Sequence, residues 1–325
     1  MKRRAVLIAG GVSILSWAAK SSAQAGGPKL IAVLMPGTQD AFRTRVDWLR
    51  SELAKLGYVD GRGIVFLERF GEDRTERLAE IASDLAAKRP AVIVTLSTAG
   101  VRACFEATKT IPIVFATMGA PVEEGFAKSL RRPGGNVTGI LTPAEVVEKI
   151  VEIGREAMPK AQRFAILVHQ PDPAHLTSLN RFRQAARKLQ FDPIVVSVAA
   201  ASELARAFEE TLAKKADLLF PSNQVFSSSH LREIGERALK VKLPLLTSYV
   251  DFIATAGLAA YGTRREENYR RAAALVDQIL RGANPGELPI ERPSGWELAV
   301  NLKTARAIGV TLPQALLLRA TRVIE

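Results

Sequence analysis

Cysteine occurs once in this 325-residue chain, at Cys104, and histidine three times, at His169, His175 and His230. A lone cysteine excludes an internal disulfide, and because it does not follow the leader it excludes lipid attachment at a processed N terminus. It sits between Val101 and Phe105 in a helical pattern, which reads as a buried structural thiol. Low-complexity tracts are absent. After residue 25 no apolar run reaches the ~18–20 residues that cross a bilayer. No stretch reads G-x-S-x-G, a Walker loop or H-E-x-x-H, so the common hydrolase, nucleotide and zinc signatures are missing. Basic residues are plentiful, 45 Lys and Arg against 33 Asp and Glu for a formal charge of +12. They are scattered over helical patterns rather than gathered in one run, so they read as solvated faces and not as a nucleic-acid surface.

What is present begins with a leader. "MKRR" is a basic start, "AVLIAGGVSILSWAA" an apolar run over 5–19, and "SSAQA" places Ala23 and Ala25 at the −3 and −1 positions before Gly26. This is the three-part pattern of a secretory signal peptide over 1–25, cleaved after Ala25. Arg3 and Arg4 also suit a twin-arginine route, with the general secretory route expected. Cleavage removes Lys2, Arg3, Arg4 and Lys20 and no acid, so +12 less four leaves +8. The mature chain is expected in a bacterial periplasm.

Beyond the leader, buried-strand and amphipathic-helix patterns alternate. "KLIAVLMPG" is a strand ending in a glycine turn. In the next segment Phe42, Val46, Leu49, Leu53 and Leu56 step by four and three along a helix stopped at Gly57. Near-continuous apolar strands separated by helices describe a parallel sheet covered on both faces. The order then repeats. "RFAILVHQP" at Arg163 matches "KLIAVLMPG" at Lys29, "LAKKADLLFPSNQ" at Leu212 matches "LAAKRPAVIVTLSTAG" at Leu85, and "VKLPLLTSY" at Val241 matches "KTIPIVFATM" at Lys109. The fold class is therefore α/β, with two doubly wound Rossmann-like lobes.

The segment "SLRRPGGNVTGI" reads as a helix end, a Pro-Gly-Gly-Asn breaker and a strand at the first crossing between lobes. Its glycines precede a strand rather than a helix, so no helix N terminus faces a phosphate there. Arg131 and Arg132 read as cations at a helix C terminus.

In an open parallel sheet, ligands bind beyond the carboxyl ends of the strands. The first lobe then offers Gly37, Thr38, Ser97, Thr98, Met118 and Gly119, and the second His169, Gln170, Ser222, Asn223 and Tyr249. These loops carry hydroxyls, amides and exposed backbone, with no Asp or Glu and one histidine lacking a metal partner. They can hold a small polar or aromatic solute and have little with which to transform it. Thr98 and Ser222 serve equally well as helix caps. His175 and His230, at helix starts, read as exposed surface, Trp48 as packed, and Trp296 carries no signal of its own.

Three segments, "RRPGGNVTGI", "NYRRAAALVDQILRGANPGELPIERP" and "ELAVNLKTARAIGVTLPQALLLRATRVIE", resemble the family of bacterial ABC-transporter substrate-binding proteins that includes tryptophan- and tyrosine-binding members. The resemblance implies a periplasmic-binding-protein type I fold whose chain crosses between lobes three times, near 138–143, 261–264 and 284–288. Lobe 1 is then 26–140 plus 264–285, and lobe 2 is 141–263 plus 286–325. It further implies a non-enzymatic, cofactor-free monomer that captures an amino acid, an aromatic one included, or a related organic acid and delivers it to ABC permease subunits. Contact with the inner membrane would run only through that permease, and no nucleic acid is involved. A periplasmic sensor subunit of a receptor kinase is the alternative, with an exported enzyme on the same fold behind it. A ligand carboxylate would meet N–H groups near Gly37, Ser97 or Thr98, and Tyr249 or Tyr261 would stack on a ring. Family members commonly read Gly-Asp-Pro-Val where this chain has Gly119-Ala120-Pro121-Val122, and many read Asn-Pro where it has His169-Gln170-Pro171. An Asp at 120 can pair with a ligand amine and Ala120 cannot, which directs attention to acids without an ammonium group.

Overall fold

The run KLIAVLM folds as β1 (Lys29–Met35), buried through its last five residues because helices cover both of its faces. The computed structural model describes residues 27–143, 145–172 and 175–325, so the leader expected at 1–25 lies outside the described residues. After β1 come α1 (Gln39–Lys55), β2 (Val59–Asp60), β3 (Gly63–Phe70), α2 (Leu78–Ala87), β4 (Val92–Thr95), α3 (Ser97–Ala107), β5 (Ile113–Met118) and β6 (Val137–Leu141). All pairs are parallel, in the order β2-β3-β1-β4-β5-β6.

The chain continues as α4 (Val146–Ala157), β7 (Arg163–His169), α5 (His175–Lys188), β8 (Asp192–Val198), α6 (Leu204–Ala213) and β9 (Leu218–Pro221). Next are α7 (Val225–Ser229), α8 (Leu231–Lys240), β10 (Leu246–Thr247), β11 (Ala259–Thr263) and α9 (Arg265–Leu280). It ends with β12 (Trp296–Asn301), α10 (Leu302–Ile308), α11 (Gln314–Arg319) and β13 (Arg322–Ile324). β8-β7-β9 and β10-β11-β12-β13 are bridged at Leu219 and Leu245, giving the second lobe one continuous surface. Its first five strands, β8-β7-β9-β10-β11, stand in the same order as β3-β1-β4-β5-β6. The spatial order thus reproduces the repeat read in the sequence.

Helix α9 follows lobe 2 in sequence but packs on the first sheet. Ala272, Ala273, Val276 and Leu280 share a core with Val46, Leu49 and Leu53 of α1. The segment after α9 stays with that lobe longer than expected. Ile290 is buried beside Val137 and Leu141, and Glu291 pairs with Ile140, accepting from Leu141 N at 2.8 Å and donating to Gly139 O at 2.9 Å. Residues 290–291 therefore lie along the β6 edge of the first sheet, just past 284–288 where the third passage is expected. Edge pairing to β6 holds them there.

The Pro-Gly-Gly segment also differs from expectation. No helix precedes it: between β5 and β6 the chain runs in turns, as Pro121, Gly125 and Pro133 dictate. Arg132 consequently faces Glu287 at 3.7 Å rather than a helix end. Gly134, at φ +72°, donates to Gly286 O at 2.9 Å. The turn enters β6 at its amino end, whereas the passage between lobes follows its carboxyl end. It is a turn, on the far side of the sheet from the hinge.

Candidate ligand-binding site

The carboxyl ends of both sheets face one another across a cavity of about 240 Å³, just under the ~300–1,000 Å³ usual for small-molecule sites. Ser97, Thr98, Met118 and Gly119 of lobe 1 line it, with Asn223 and Tyr249 of lobe 2 opposite. Helix α3 opens directly on this space. Leu96 at its N-cap offers no side-chain cap, and only Gly100 N finds a hydroxyl, Ser97 Oγ at 3.3 Å. The first turn of α3 so presents N–H groups that lack a side-chain cap among the described residues, together with the positive end of its dipole. Ser97 and Ala120, both in the wall, hold left-handed backbone at φ +63° and +50°. Such conformations cost on the order of 1–3 kcal/mol for non-glycine residues and concentrate at ligand sites.

Lobe 2 contributes a braced polar edge. Ser248 Oγ donates to Asn223 Oδ1, and Tyr249 OH donates to Gln224 O at 3.2 Å. Burial pushes the Tyr249 and Tyr269 phenols above their ordinary range, so both remain protonated donors. Trp296 lines the cavity while stacked on Tyr261, ring centroids 5.3 Å apart at 16°.

The charged groups of the wall escaped the sequence reading. Arg45 is 5% exposed, lies over the Phe42 ring at 3.7 Å and donates to Ser228 Oγ. Burial, and then the neighbouring Arg265, lower its pKa to about 10. Arg265 pairs with Asp251 at 3.0 Å and also reaches Ser228 Oγ at 3.3 Å. The wall also holds two carboxylates, the buried Asp172 and Glu124, the latter paired with Arg102. Asn268 Oδ1 is buried with no hydrogen-bond partner among the described residues. A sequence signal for Arg45 existed. It falls three residues after Phe42 and four before Leu49, on the apolar stripe of α1, where a cation has no packing role.

Six expected residues lie outside the cavity lining. Gly37 permits close approach of Phe42, whose ring would be 2.1 Å from an added Cβ. Thr38 caps α1, accepting from Ala41 N at 3.4 Å. His169 is buried and stacked on Phe226 at 4.6 Å, its Nε2 3.1 Å from Ala199 O, and burial lowers its pKa. Gln170 is exposed. Ser222 donates to Gln224 Oε1 at 2.5 Å, and Tyr261 backs Trp296 from behind. Neither expected cap is one: α3 begins at Ser97 with Leu96 at its N-cap, and α7 at Val225 with Gln224 at its N-cap. His230 is not a free surface group, since its Nε2 lies 3.2 Å from Asp73 Oδ2. Trp48 packs as expected, 6.1 Å from Tyr269. Cys104 is buried and its thiol is pushed up to about 12.

The lobes are closed on each other at the cavity mouth. Asp73 of lobe 1 faces His230 and accepts from Ser229 Oγ at 2.7 Å, both on lobe 2, beside the Arg45–Ser228 contact.

This geometry has known counterparts. A tyrosine-binding protein of Clostridioides difficile (strain R20291) is 25% identical over 256 residues, 79% of this chain and 74% of that one. A crystal structure of a conserved domain protein from Vibrio cholerae O1 biovar El Tor superposes with a TM-score of 0.84 at 25% identity, over 91% of this chain and 99% of its own. The ABC domain from Streptococcus pneumonia in complex with L-Trp superposes with a TM-score of 0.82 at 22% identity, over 91% and 100%. The architecture is that of the two-lobed type I periplasmic binding proteins. The profile of ABC transporter substrate binding proteins matches residues 30–324. The chain belongs to that family.

Proposed function

We propose that the mature protein is an exported, periplasmic solute receptor that encloses one small organic acid between its lobes and presents it to an ABC permease. The observation that carries this reading is the cavity itself. It is lined from both lobes, at the strand ends, by hydroxyl, amide and guanidinium groups that bind without supplying a nucleophile–base pair. Closure stabilises the complex because only then do both lobes touch the solute. Ala120 leaves a ligand ammonium without a carboxylate at that position of the wall, which favours an acid lacking an amine. A second reading, a free α-amino acid, is favoured by Asp172 in the same wall.

Two measurements test the proposal. Native mass spectrometry of freshly purified protein is expected to show a bound mass that denaturation releases. The double variant Ser97→Leu, Thr98→Phe is expected to abolish binding while the circular dichroism spectrum stays native. Unchanged affinity in that variant places the site elsewhere.

A further inference from the structure

Arg45 is buried, and it is unlike the half-buried Arg155. Arg155 directs its guanidinium at the carbonyls of Leu189, Pro159 and Ala161, which take up its N–H groups. Arg45 has five N–H donors, of which one finds Ser228 Oγ, and it has no carboxylate partner among the described residues. One face of its planar guanidinium is covered by the Phe42 ring. A second guanidinium, Arg265, converges on the same hydroxyl. Arg265 is paired with Asp251, so the two guanidiniums have one carboxylate between them and Arg45 none of its own, a charge imbalance in a cavity wall that folding alone does not explain.

We infer that Arg45 and Arg265 form an oxyanion clamp, so that the solute is an organic anion whose carboxylate or phosphate seats between the two guanidiniums beside Ser228. This rests on the solute-capture reading above. Guanidinium N–H pairs match carboxylate and phosphate oxygens in forked geometry, and the bound anion supplies the missing charge. Both cations sit on elements of lobe 1, α1 and the start of α9, while Ser228 comes from α7 of lobe 2. Once an anion replaces it as acceptor, the Ser228 hydroxyl is free to turn and donate to that anion, so the charge of the solute itself draws lobe 2 down. Trp296, fixed by its stack on Tyr261, offers a flat apolar face to the remainder of the molecule. The unpartnered Asn268 Oδ1 asks for a hydroxyl or amine donor on that body.

The test uses the mature chain stripped of bound solute and a thermal-shift panel of matched probes. These are 3-(4-hydroxyphenyl)propanoate, its primary amide, L-tyrosine, tyramine and phenyl phosphate, within a wider set of anionic, neutral and cationic metabolites. Titration calorimetry follows on the tightest hit. Hits are expected among anions alone, with at least a hundredfold loss when the hit's acid is replaced by its amide. Carboxylate or organophosphate hits then tell the two sources apart. Arg45→Gln is expected to lose at least a hundredfold for the anion and little for the amide, with Arg45→Lys intermediate because it keeps charge without the fork. Should Arg45→Gln fold poorly, Arg265→Gln and the acid–amide pair on the wild-type chain decide the matter. A neutral or cationic solute binding as tightly as the best anion, or a natively folded Arg45→Gln within threefold of wild type, overturns the clamp and leaves solute capture standing. A panel in which no solute of any charge binds overturns solute capture, and the clamp with it.

Discussion

Gly139 illustrates how single positions are constrained near the hinge. It holds φ +156°, and a Cβ there would lie 2.2 Å from Phe115 O, a backbone atom of the neighbouring strand that cannot swing aside. Gly139→Ala is expected to destabilise the chain by about 2–4 kcal/mol, read from chemical denaturation with an unchanged m-value. The glycine was visible in the sequence; its reason was not, because it depends on how closely β5 and β6 approach. The wall residues show the same divide. Ser97, Thr98, Met118, Gly119, Asn223 and Tyr249 were found from one rule about strand ends, and the cavity brings all six together. Arg45 and Trp296 reach the cavity from a helix face and from the first residue of β12, where no rule about strand-end loops applies, whereas Arg265, two residues past the end of β11, lay within reach of that rule.

Among elements, α10 shows a cap that also ties two segments together. Asn301 Oδ1 accepts from Thr304 N at 3.0 Å while its Nδ2 donates to Ile253 O at 2.7 Å, all buried. Asn301→Ala removes the cap and strands a carbonyl, with an expected loss of about 2–3 kcal/mol by thermal or denaturant unfolding. Asn301→Asp keeps the cap but turns a buried carboxylate oxygen on Ile253 O, and is expected to lose at least as much. The strand and helix succession was legible because buried parallel strands are continuous apolar runs and their helices keep a 3.6-residue period. The helix expected before Pro133 was not there, because breakers at 121, 125 and 133 outweigh a short apolar pattern. Segments read separately as family signatures prove to be neighbours: Gly134 meets Gly286, Arg132 faces Glu287, and Ile290 N donates to Leu130 O at 2.7 Å. Contacts of that range, over some 150 positions, leave no local trace.

For the molecule as a whole, the contacts between lobes at the cavity mouth set how readily it closes. Asp73 carries two of them, to His230 and Ser229. Its backbone is left-handed at φ +57°, which Asn tolerates, so Asp73→Asn removes the charge without straining the loop. The expected result is a solute Kd weakened by roughly fivefold, about 1 kcal/mol, with the unfolding temperature of the empty protein nearly unchanged. Small-angle scattering should show the variant compacting less at subsaturating solute. An equal drop in the empty protein's stability would assign Asp73 to the fold instead of to closure.

The interleaving of the chain sets the order in which this protein can be made. Lobe 1 lacks one wall of its core until α9 and Glu291 are in place, and lobe 2 lacks part of its sheet until β12 and β13 arrive. Neither half is a contiguous folding unit, and each waits on partners far downstream in the sequence. A nascent chain therefore has no finished core in either lobe until α9, β12 and β13 have all emerged, which delays compaction of the upstream strands.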